Sequence, residues 1–245
     1  MAAPKKQINP DAPVVRRSKR RSTRDRILEE ARVLFNQHGV QGTAVFKIAG
    51  ELQMSPGNLT YHFRSKSDIV LDLSRKLRQE IEHAIYGLTP PLDPHEVIVH
   101  LEAVLRTLWN YRFLFNSAIH VSQMDDNLGD QVKALQITLC QILRKYFGAT
   151  IKRGEMRRPA RLDGVTLLAE NILAIWLQWL RTENIAQPDR QELDNAALRS
   201  CLRHHYSLID PYVSRAFARE SWAEIERRYG RANETEADSE ADSPA

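Results

Sequence analysis

Two cysteines are all that the 245 residues contain. Cys140 and Cys201 sit far apart in no CxxC pairing, which excludes a disulfide framework and a thiolate zinc site and fits a reducing, cytosolic compartment. None of the ten glycines is gathered into a phosphate-cradling loop, and no GxSxG or HExxH pattern occurs. The histidines offer no substitute. His38, His62, His83, His95, His100 and His120 share no ligand spacing, and His204 and His205 are adjacent, so on a helix their side chains diverge by about 100°. No metal, no cofactor and no enzyme activity are expected. Long hydrophobic runs are also missing: the most apolar stretch, Val165 to Leu180, is interrupted by Glu170, Asn171 and Gln178, and no apolar signal core follows the basic amino terminus. That excludes a membrane partner and places the protein in the cytoplasm. Two-residue hydrophobic alternation is not sustained anywhere, so an all-α fold is expected.

Charge is present in quantity but unevenly placed. The formal net charge is only +4. Residues 1–26 carry nine basic side chains against two acidic ones, whereas 233–245 carry five acidic and no basic ones. Residues 1–22 therefore read as a disordered basic arm and 231–245 as a disordered acidic tail, both too poor in apolar surface to offset the entropy of ordering.

Between these ends the dominant period is helical. Ile27, Leu28, Ala31, Leu34 and Phe35 form one stripe that Gly39 ends. Val45, Ile48, Ala49 and Leu52 repeat it after Thr43, read as an N-cap. A third short helix opens at Ser55-Pro56, a capping residue followed by proline in the first helical position, and buries Leu59 and Phe63. Ser65 to Asp68 has capping-box character and starts a longer helix towards Tyr86, after which Pro90, Pro91 and Pro94 break the chain. Further helices are expected at 94–122, 127–148, 163–182, 192–209 and 211–229.

Thr43 to Phe63 has the spacing of a helix-turn-helix, in which the second helix enters the major groove of DNA. Gly57 lets the backbone approach closely. Asn58 suits bidentate pairing with adenine, Thr60 a thymine methyl, and Tyr61 and His62 phosphate contacts. The helix starts after Thr43 and Ser55-Pro56 favour phosphate, and Lys47 and Lys66, with Arg20, Arg21 and Arg24 of the arm, add positive charge.

The run Thr23 to Leu28, then Ala31, Leu34-Phe35, Gly39, Thr43, Ile48-Ala49 and Ser55 to Lys66, resembles the amino-terminal domain of the TetR family of bacterial transcriptional regulators (TetR/AcrR type). The likeness covers about 23–70; Gln53, Phe46 and Thr60 depart from it, Gln53 standing where the family usually places the turn glycine. The resemblance implies an amino-terminal three-helix DNA-binding domain at 23–70 and a larger helical effector-binding and dimerisation domain at 71–230. It also implies a homodimer on a palindromic double-stranded DNA operator in the bacterial nucleoid, where it acts as a repressor.

In the larger domain Leu105, Leu108, Trp109, Arg112, Phe113 and His120 are candidate contacts for a small apolar or amphipathic effector, such as an acyl chain or its thioester. Leu168, Ile172, Ile175, Trp176 and Trp179 make a broad apolar band, a candidate dimer interface unless it is an intramolecular core. Two readings of function follow: a ligand-responsive regulator released from DNA by its effector, or an effector-independent architectural DNA-binding protein that recruits a protein partner.

Overall fold

Side-chain caps set most of the helix starts in this computed structural model, which describes residues 21–85 and 93–230. Ser22, Ser55, Ser65, Asp93, Asp194 and Ser214 each accept a backbone N–H from the first turn of the helix that follows, which satisfies one otherwise orphaned donor. Among the described residues the elements are α1 (Thr23–Gly42), α2 (Val45–Glu51), α3 (Pro56–His62), α4 (Lys66–Ala84), α5 (Pro94–Asn110), α6 (Arg112–Asn116), α7 (Ala118–Met124), α8 (Asp126–Lys152), α9 (Gly164–Ala186), α10 (Asn195–Ile209) and α11 (Arg215–Tyr229). The chain is all-α; apart from the helices the described residues hold one isolated bridge, Met156 to Val213.

The head is built from the apolar stripes read in the sequence. Ile27, Leu28, Ala31, Leu34 and Phe35 of α1 are buried with Ile48, Ala49, Leu59 and Phe63. Pro56 occupies the first turn of α3, and Ser65 and Asp68 form a reciprocal capping box. Gly39, at φ 72°, kinks the end of α1. One cap differs from expectation: the N-cap of α2 is Ala44, which supplies no side-chain cap. Thr43 is buried and turned back onto α1, where its hydroxyl donates to the carbonyls of Gly39 at 2.9 Å and Leu34 at 3.3 Å. The hydroxyl serves the carbonyls left open by the kink rather than the amides of the next helix.

Gln53 takes the left-handed conformation, φ 52°, in the α2–α3 turn. A side chain in that region costs on the order of 1–2 kcal/mol, while glycine there costs a further ~0.5–1 kcal/mol of unfolded-chain entropy. Gln53→Gly is expected to stabilise the protein by about 0.5 kcal/mol, a melting-temperature rise of about 1–2 °C. Calorimetry that showed a lower melting temperature would mean the Gln53 side chain supplies more than the strain costs.

In the body, α9 packs between α8 and α10, α11 covers α5 and α10, and α4 lies against α5 and α8. The single helix expected over 94–122 is instead three, because the helix is interrupted at Tyr111 (φ −116°, ψ 25°) and Ser117 (φ −109°, ψ 22°). The interruption carries Arg112 into the interior, where it is 1% exposed, stacked 4.2 Å over Trp109, and donates to Asn184 Oδ1 at 2.6 Å and the Arg190 carbonyl at 3.0 Å. Burial pulls its pKa down to about 10, still high enough to keep it charged at neutral pH. The expected start of a helix at 192 falls at Asn195, capped by Asp194. Arg20, the proline break at 90–91 and the acidic tail lie outside the described residues.

Candidate nucleic-acid interface

The amphipathic spacing of α3 decides which side chains face outward. Leu59 and Phe63 occupy the head core, which leaves Gly57, Asn58, Thr60 and Tyr61 exposed, Tyr61 at 85%. Ser55 accepts from the Asn58 amide at 3.2 Å and so holds the first turn at the surface. Thr60 donates its hydroxyl to the carbonyls of Pro56 and Gly57, so the methyl is what it has left to offer a partner. A Cβ built at Gly57 would meet nothing within 4 Å, so nothing inside the protein requires glycine there. Exposed Pro56 and half-exposed Lys47 and His62 border this face. Phe46, 72% exposed on α2, was visible in the sequence only as a departure from the family pattern; an apolar side chain on a polar helix face was the signal.

Three candidate contacts also have partners within the protein. Thr43 is buried, as above. Lys66 donates to the carbonyls of Val40 at 2.7 Å and Thr43 at 3.1 Å, closing the end of α1, and burial lowers its pKa. Arg24 donates to the His62 carbonyl at 2.9 Å, pairs with Asp72 and lies 4.2 Å over the Phe63 ring. Lys66 thus secures the end of α1, while exposed Arg24 ties the end of α3 to α4. Arg21 is exposed. Lys76 pairs with Asp25 at 2.9 Å, and that bond, with Ser22, holds the Asp25 carboxyl below the ordinary range. The carboxy-terminal end of α3 and the start of α1 are thus tied to α4.

The head is also tied to the body. Asn36 donates to the Asn110 carbonyl at 2.8 Å and accepts from the Phe113 amide at 3.1 Å, and Arg32 donates to the same Asn110 carbonyl at 3.0 Å. Both sides of the α5–α6 break are thereby fastened to α1.

The body contains a narrow apolar cavity between α5, α8 and α9, bordered by Val97, Leu101, Val104, Leu139, Leu143 and Trp176. Its volume is only about 40 Å³. The candidate effector contacts are elsewhere. Leu105, Leu108, Trp109, Arg112 and Phe113 are packed core, and half-buried His120 on α7 does not border the cavity. The apolar stripe runs the length of α5, and only its first half leaves a gap. The dimer band is likewise corrected: Leu168, Ile172, Trp176 and Trp179 are buried within the protomer and Ile175 is half-buried, so this band is intramolecular core. Among the described residues no His, Cys, Asp or Glu cluster has metal-site geometry, and no helix is long and apolar enough to cross a membrane.

An exposed recognition helix, held by a capped turn on a helical body, defines a helix-turn-helix DNA-binding protein. A family model described as bacterial regulatory proteins, tetR family, matches residues 27–73, and one described as a bacterial transcriptional repressor matches 77–220. The chain belongs to the tetR family of bacterial transcriptional regulators, proteins that control transcription rather than catalyse reactions. It is 29% identical over 182 residues to the HTH-type transcriptional regulator AcrR of Shigella flexneri, an alignment covering 71% of this chain and 84% of that protein. A TetR-family regulator from Marinobacter aquaeolei VT8 shares the fold with a TM-score of 0.74 at 23% identity, over 84% of this chain and 98% of that one. A transcriptional regulator from Saccharomonospora viridis, solved in complex with choline, has a TM-score of 0.61 at 21% identity, covering 78% of this chain and 98% of that one.

Proposed function

We propose that the protein is a ligand-responsive repressor that binds a palindromic operator as a homodimer through α3. The observation that carries this reading is the placement of α4. Near its start α4 holds the recognition helix through Asp72, Arg24 and the His62 carbonyl, and at its far end Ile85 borders the apolar cavity. A molecule that widens the cavity displaces the end of α4 and with it the angle of α3. Coupling then amounts to a difference in ligand affinity between the DNA-competent geometry and the displaced one. The choline complex of the Saccharomonospora viridis regulator supports a small-molecule effector for this fold.

Asn58 and Thr60 read bases, Tyr61 and His62 meet phosphates, and Lys47, Arg21 and the arm residue Arg20 add to the electrostatic attraction. The dimer forms through the outward strip of α9. Leu167, Asn171, Ala174 and Gln178 are exposed at spacings of four, three and four, the pattern of a helix that packs against another helix, with Arg203 and His204 of α10 exposed nearby.

Selection of bound sequences from random duplex DNA is expected to return an inverted repeat whose half-sites lie about 34 Å apart or a multiple of it. Light scattering at micromolar protein is expected to give twice 28.2 kDa, and Ala174→Glu to halve that mass and abolish binding to the full repeat. A 28.2 kDa monomer that binds a non-repeated site would sink the dimeric reading.

A further inference from the structure

Besides Tyr61, a second large apolar side chain stands open on the head. Phe46, in the first turn of α2, is 72% exposed, whereas among the described residues α1 and α4 expose no large apolar side chain. The direction of the ring follows from the helix. Val45, Ile48, Ala49 and Leu52 turn to the core, which leaves an open arc with two flanks, Lys47 with Glu51 and Phe46 with Gly50. Glu51 stands near α1, where burial and then the Glu51 carboxylate raise the Glu30 pKa. Phe46 and Gly50 therefore lie on the flank turned away from α1.

Gly50 is an independent sign of a partner on the same flank. It is exposed, and a Cβ built there would meet nothing within 4 Å, so no neighbour inside the protein requires glycine. Glycine nevertheless serves a helix less well than alanine. One turn from Phe46, it leaves bare helix backbone beside an open ring. Such a notch suits a partner that comes close to the backbone and offers apolar C–H surface between charges. A DNA strand has that character, with a deoxyribose between successive phosphates. In a helix-turn-helix the first helix crosses the DNA backbone while the second lies in the groove.

We propose that Phe46 and Gly50 form an apolar notch that receives one strand of the DNA: the ring packs on a deoxyribose, and the bare backbone at Gly50 lets the adjoining phosphate come close. The contact fixes α2 on the strand and adds affinity without an ion pair. A cation set on a phosphate releases a counterion and makes binding fall steeply with salt, whereas a phenyl ring set on a sugar releases none. This inference rests on the DNA-binding role of the helix-turn-helix and is independent of the effector and of the homodimer.

The test is fluorescence anisotropy of the full-length protein on two duplexes, the one recovered by selection and one of unrelated sequence, from about 50 to 200 mM salt. Phe46→Ala is expected to weaken binding to both about fivefold to tenfold at every salt concentration, with the slope of log K against log salt unchanged. Phe46→Arg is expected to steepen that slope by about 0.9, whereas the same change at fully exposed Leu162, in the loop before α9, leaves it as in the parent. Gly50→Ala is expected to raise the melting temperature by about 1–3 °C and yet weaken binding at least about threefold, a divergence that a purely structural glycine would not give. Phe46→Arg and Gly50→Ala carry the test should Phe46→Ala fail to fold. Parent affinity in Phe46→Ala or in Gly50→Ala, or an unchanged slope in Phe46→Arg, would each overturn the proposal. So would a loss in Phe46→Ala confined to the selected duplex, which would set the ring on a base. A monomer, or a selected site without a repeat, would instead defeat the homodimer on a palindrome and leave the measurements on both duplexes valid.

Discussion

Replacing Tyr61 and His62 together with alanine is expected to weaken operator binding about 100-fold, or ~2.7 kcal/mol, with the fold unchanged. Tyr61 is 85% exposed and His62 half-exposed, their rings touching edge to face at 5.3 Å, so neither fills the head core. Leu59 and Phe63 do that. The Arg24 bond goes to the His62 backbone carbonyl, which alanine keeps. Surface substitutions of this kind shift stability by no more than about 0.5 kcal/mol, so helical content and melting temperature serve as internal controls. Fluorescence anisotropy on the selected operator, at one fixed salt concentration, measures the loss. Affinity equal to that of the parent would remove α3 from the DNA-reading role.

The second large effect concerns the body. Arg112→Ala is expected to destabilise the protein by about 3 kcal/mol, a melting-temperature drop of about 6–12 °C. The guanidinium links α6 to three other stretches of chain: it stacks on Trp109 of α5 and donates to the Trp109 carbonyl at 3.2 Å, and it reaches Asn184 of α9 and the Arg190 carbonyl in the loop before α10. Truncation removes the donor to two part-buried acceptors, Asn184 Oδ1 and the Arg190 carbonyl, and to the buried Trp109 carbonyl, and it opens a void, two costs that add. Recovery of the guanidinium's desolvation cost, visible in its lowered pKa, offsets only part of this. Because Asn36 and Arg32 grip the same α5–α6 break, the variant is also expected to loosen the head from the body, seen as faster amide exchange at Phe113. An unchanged melting temperature would show that the buried arginine is only tolerated where it sits.

How much was legible in the sequence varied with distance along the chain. Ser55, Pro56 and the Ser65–Asp68 box act within one turn of helix, and each is where local reasoning put it. The left-handed turn residue at Gln53 was signalled only by the family resemblance, which usually has glycine there. Thr43, Lys66 and Arg24 have partners within the protein that the sequence did not show. All three are donors beside a DNA-binding helix, and a sequence does not reveal that the kink at Gly39, the end of α1 and the His62 carbonyl leave acceptors nearer than any phosphate.

What the sequence determined by itself was the all-α class and the DNA-reading head, because helical periodicity, caps and the turn all operate over fewer than ten residues. Only the tertiary structure decided the rest. Leu101 borders a cavity while Leu108 is packed core, and Trp176 faces α8 and α10 while Ala174 faces outward, although each pair lies on a single helix. Periodicity shows that a helix has an apolar stripe. Which neighbour covers each part of that stripe, and where the cover is incomplete, depends on contacts between segments far apart in the chain, as between Glu102 of α5 and Tyr229 of α11.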